Sequence, residues 1–74
     1  MTTDAVLAID RSLDRSRRAC EVVRRGNRSQ ADLKDMSRRL MDLDAAIFDA
    51  EKLPQTDEIK AAIRRGHEGM RGAA

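Results

Sequence analysis

The chain has 74 residues, a net charge of +2 and a single cysteine, histidine, aromatic and proline (Cys20, His67, Phe48 and Pro54). These counts exclude a disulfide framework and leave too few ligands for a Cys/His zinc cluster. One small helical domain is expected, because a sheet of this size would need more β-branched and aromatic residues, and a core this modest needs help from a partner or a further element.

Val6, Ile9, Leu13, Ser16, Cys20 and Val23 recur at spacings of 3 and 4. That is a heptad seam with one polar member, and it predicts a helix over about 4–25. Thr3 and Asp4 suit its N-cap and first turn. Arg24, Arg25 and Gly26 suit its end, and Asn27 and Arg28 make the turn.

Ser29 then caps a second helix, about 30–53, with Asp32 in the capping-box position. Leu33, Met36, Leu40, Leu43, Ile47 and Ala50 repeat the same rhythm, and Leu53-Pro54 closes the helix. So short a turn folds the two helices into an antiparallel hairpin. Pairing positions whose numbers total 56 sets every seam residue against another, Cys20 against Met36 and Ser16 against Leu40 among them. In this register Arg17 reaches Asp44.

Thr56 caps a short third helix, about 57–66, with Ile59, Ala62 and Ile63 on one face. Gly66 is expected to end it. Residues 1–66 then form the domain, and 67–74 a flexible tail that carries His67.

The seam alone is too small to hold the hairpin. Met41, Ala45 and Phe48 form a second apolar stripe beside it. Two arrangements would use this stripe. The third helix docks on it in a three-helix bundle, or two hairpins pair as a dimeric four-helix bundle. The partner interface is therefore expected at Met41, Ala45, Phe48 and Ile59. Met-rich surfaces of this kind suit helix capture.

Charge is distributed unevenly. Residues 11–28 hold seven arginines against Asp14 and Glu21. Arg11, Arg18 and Arg25 recur on the outer face of the first helix, and Asp35, Asp42 and Asp49 on that of the second. Asp14–Arg18, Glu21–Arg25 and Arg17–Asp44 are expected ion pairs. They leave Arg11, Arg15, Arg24 and Arg28 as candidate nucleic-acid contacts. No aromatic stands near them for base stacking, and no short recognition helix follows the turn.

Cys20 reads as a small buried hydrophobe, and Ser16 as a gap-filler bonded to its own helix. No nucleophile–base pair, phosphate-cradling glycine loop or metal-ligand spacing stands in the chain, so neither an enzyme nor a cofactor is expected. No apolar run approaches the roughly 20 residues of a membrane span, and MTTDAVLAID lacks the basic start of a secretory signal. A cytoplasmic setting is expected.

These features predict a small helical protein acting by protein–protein association: a regulator, adaptor or structural subunit, with a protein partner or further copies of itself. The alternative is a nucleic-acid-binding regulator that uses the first helix. The hairpin resembles many small bacterial and phage regulators, a likeness of shape alone.

Overall fold

The structure, a computed structural model, describes residues 3–26 and 29–73. It is an all-α three-helix bundle, α1 (Asp4–Arg24), α2 (Gln30–Glu51) and α3 (Asp57–Ala73), with principal extents of 40 × 20 × 15 Å. Among the described residues there is no strand.

The capping chemistry read from the sequence is in place. Thr3 Oγ1 accepts from the Val6 amide at 3.3 Å, and Thr56 Oγ1 from the Ile59 amide at the same distance. Gly26 has φ +98°, the left-handed conformation that ends α1. The expected turn at Asn27 and Arg28 lies outside the described residues.

Ser29 Oγ accepts from the Asp32 amide at 3.2 Å and donates to Asp32 Oδ2 at 2.8 Å. In the usual capping box the acid reaches back to the cap's amide. Here its contact is the serine hydroxyl itself. Ser29→Ala should remove both bonds and cost about 1 kcal/mol of stability, read as a lower urea midpoint with an unchanged denaturant slope.

At the other end of α2, Pro54 has no amide hydrogen to offer the open carbonyls. The Gln55 side chain supplies the donor: its Nε2 bonds the carbonyls of Leu53 at 2.8 Å and Ala50 at 3.1 Å.

The core is triangular. α1 contributes Val6, Ile9 and Leu13; α2 contributes Leu43, Ile47 and Ala50; α3 contributes Ile59 and Ala62. Ala5, Ala46, Ile63 and Met70 pack at its rim. Ser16 is buried, and its Oγ donates to the Leu13 carbonyl at 2.9 Å. That bond removes the cost of an unpaired buried hydroxyl.

The third helix corrects the expectation in two ways. It continues past Gly66 to Ala73, so residues 67–73 are helical and belong to the bundle rather than to a tail. It also docks over the α1–α2 seam instead of on the Met41–Ala45–Phe48 stripe.

The cause lies in the spacing Ile59, Ala62, Gly66 and Gly69. This is a heptad seam built of small residues, which lets α3 come close. A β-carbon added at Gly66 would lie 2.7 Å from Ile47 Cδ1 and 3.5 Å from Ile9 Cγ2; one at Gly69 would overlap the Leu13 side chain. Ile9, Leu13 and Ile47 occupy the space the glycines leave. Each interior glycine costs roughly 1 kcal/mol of helix propensity, and this packing offsets it.

At about 1.5 Å per residue α3 is some 25 Å long, against about 32 Å for the helices of the hairpin. It therefore leaves the hairpin tip uncovered. Leu33 and Val22 are exposed there, and Val23 and Met36 are half-buried.

Candidate interaction surface

The core seam of α2 passes through Leu43, Ile47 and Ala50. With each residue turning the helix by about 100°, Met41, Ala45 and Phe48 fall on the side turned away from that seam. All three are exposed, Met41 at 71% and Phe48 at 59%. Leu40 and Met70, both half-buried, meet this stripe at an open hollow between α2 and α3 that also includes Asp44. The Lys52 Nζ lies over the Phe48 ring, 4.5 Å from its centroid, a cation–π contact.

Ile59 is separated from the other three predicted interface residues. At 4% exposure it is a core member. The length of α3 places it against the hairpin seam, and Met70, one turn from the end of that helix, stands nearer the stripe in its stead.

The acidic heptad is exposed as read. Asp35 pairs with Arg39 at 3.4 Å, while Asp42 and Asp49 lie open beside the stripe. On the basic face of α1, Asp14 pairs with Arg18 at 3.2 Å. The expected Glu21–Arg25 and Arg17–Asp44 pairs are not formed at 4.0 Å or less among the described residues.

Of the candidate nucleic-acid contacts, Arg11 and Arg15 are exposed with no described carboxylate within 4.0 Å. Arg24 is exposed and engaged with a neighbouring group. Arg28 lies outside the described residues.

Three side-chain pairings lie outside those expected from the sequence: Asp35–Arg39 within α2, and two that join α3 to the hairpin. Arg65 Nη2 donates to Asp10 Oδ1 at 3.2 Å, tying α3 to α1. His67 Nε2 lies 3.9 Å from Glu51 Oε1 across the α2–α3 contact. A tail gives no reason to seek a partner for His67, and for Arg65 the partner depends on which face of the hairpin α3 covers.

Cys20 is buried, as its seam position predicts, and is not disulfide-bonded. Among the described residues no group of three or more His, Cys, Asp or Glu side chains is placed to hold a metal ion. No described helix is long and apolar enough to cross a membrane.

The groups gathered on the stripe are thioether, methyl and phenyl, bordered by carboxylates. They offer dispersion, apolar burial and charge to an incoming surface. Comparison of the chain with protein-family models, with curated proteins and with solved structures found no match.

Proposed function

We propose that this chain acts without catalysis, by protein–protein association, as a regulator, adaptor or structural subunit of a larger assembly. Its docking surface is the Met41–Ala45–Phe48 stripe of α2. One observation carries the reading: the bundle closes without covering that stripe, although Phe48 is the only aromatic in the chain. An aromatic and a methionine held together on the surface are the residues an interface uses as anchors. The role fits a reducing, cytoplasmic setting, in which the lone thiol stays unpaired.

A second reading has its own observation. Arg11 and Arg15 project from α1 with no ion-pair partner among the described residues, as phosphate contacts would. Sedimentation velocity, with duplex DNA and RNA titrated across a salt series, separates the two. Association through the stripe predicts that Phe48→Asp abolishes any assembly while the circular dichroism and thermal midpoint hold to within about 4 °C. It also predicts little affinity for nucleic acid. A monomer that binds duplexes with a steep salt slope, lost on Arg11→Ala with Arg15→Ala, would sink the first reading in favour of the second.

A further inference from the structure

The stripe has a border, and the border is acidic. At about 100° per residue, Asp42 and Asp49 run along one side of Met41, Ala45 and Phe48, and Asp44 and Glu51 along the other. All four are exposed. Among the α2 side chains of this face, basic groups stand at the ends, Lys34 and Arg38 at the N-terminal end and Lys52 at the other, where it lies over Phe48. Of the four carboxylates only Glu51 has a described basic side chain within 4.0 Å, the His67 imidazole at 3.9 Å.

This border decides between occupants. A second copy placed face to face about a two-fold axis at Ala45 would set Met41 against Phe48, a sound apolar match. The same symmetry brings Asp44 beside its own mate and turns Asp42 toward Asp49 of the other copy. Like charges brought together at an interface disfavour the complex.

Head-to-tail stacking on the basic face of α1 fails on length. The apolar members of that face, Leu7 and Val22, stand about 22 Å apart along the helix, whereas Met41 and Phe48 are about 10 Å apart.

Resting on the reading of the stripe as a protein-docking surface, we infer that its occupant is a basic amphipathic helix of another protein. Its apolar residues, at i, i+3 or i+4, and i+7, seat on Met41, Ala45 and Phe48. Lysine and arginine on both its flanks pair with Asp42 and Asp49 on one side and with Asp44 and Glu51 on the other. This is helix-in-surface recognition, with apolar anchors for affinity and charge for selection.

The test uses the full chain and two labelled synthetic peptides of about 18 residues, long enough to hold a helix. Both carry leucines at i, i+3 and i+7. One has lysine and arginine on its flanks, and the other has glutamate. Fluorescence anisotropy at low salt should show the basic peptide binding at least about tenfold tighter, since four modest ion pairs are at stake. The gap should narrow as salt rises. Asp42→Lys with Asp49→Lys should abolish or reverse the preference, and Phe48→Ala should weaken the basic peptide.

Equal binding of the two peptides, or binding indifferent to Phe48→Ala, overturns the inference. A wild-type dimer that Phe48→Asp separates also overturns it, by giving the stripe to a second copy, while leaving the docking reading in place. If neither peptide binds and no stripe substitution alters any association, both readings fall.

Discussion

Leucine at both Gly66 and Gly69 should release α3 from the hairpin and lower the thermal midpoint by at least about 10 °C. Two opposed effects set the sign. Leucine is the better helix former, by somewhat under 1 kcal/mol per site, so α3 taken alone gains. In the bundle neither position has room. The first carbon of a side chain at Gly66 already meets Ile47 at 2.7 Å, and at Gly69 it overlaps Leu13.

Those neighbours are themselves buried in the core. Overpacking of this kind costs about 1–3 kcal/mol per site, and two adjacent sites on one helix exceed the propensity gain. In a domain of this size each kilocalorie shifts the midpoint by roughly 4–8 °C. Trypsin gives the local readout: Lys60, Arg64, Arg65 and Arg71 should be cut early in the double variant and late in the parent chain. Ala61→Leu, on the exposed side of the same helix, should leave both measurements near the parent values. If the double variant melts with the parent chain, the close approach of α3 is refuted.

Ile47→Ala and Phe48→Ala, neighbours in sequence, should differ in cost by several-fold, with the smaller residue mattering more. Ile47 is almost wholly enclosed by the core and abuts Gly66. Removing its outer carbons forfeits their burial and opens a cavity at the meeting point of three helices, for about 2–5 kcal/mol. Phe48 is more than half exposed, and its one ring contact of note is with Lys52. Losing that contact and some partial burial costs about 1 kcal/mol or less. Urea titrations of the two variants give the comparison directly. A Phe48→Ala penalty equal to that of Ile47→Ala would mean that the ring is buried in solution, by α3 or by another chain.

The hairpin was legible because its signals agree with one another. The seams of α1 and α2 share one spacing, the caps Thr3, Ser29 and Thr56 stand where helices begin, and Gly26 adopts the left-handed conformation its position requires. The burial of Ser16 and Cys20 and the exposure of Met41, Ala45 and Phe48 follow from the same periodicity.

The third helix was only half legible. Gly66 and Gly69 carry low helix propensity, and local reasoning reads them as an end. Their use as a place for Ile9, Leu13 and Ile47 to enter is a tertiary property that appears only once α3 lies on the hairpin. The placement of Ile59 failed for the same reason: a ten-residue helix has a choice of faces to cover, whereas a longer one with a small-residue seam has one. Ion pairs were less regular. Asp14–Arg18 formed at its i,i+4 spacing, Glu21–Arg25 at the same spacing did not, and Asp10–Arg65, between helices, leaves no local signal in the sequence.

The shortfall of α3 relative to the hairpin makes resistance to opening vary along the long axis. At the end holding Val6, Ala50 and Ile59, three helices share one core, and backbone there is freed only when the whole domain unfolds. Toward Gly26 two helices remain, with Val22 and Leu33 reaching water. That segment can separate at a fraction of the global cost. The molecule is thus anchored where its chain ends α2 and begins α3, and held least where Val22 and Leu33 lie, so that end of the hairpin can part while the three-helix core and the α2 stripe beside it stay assembled.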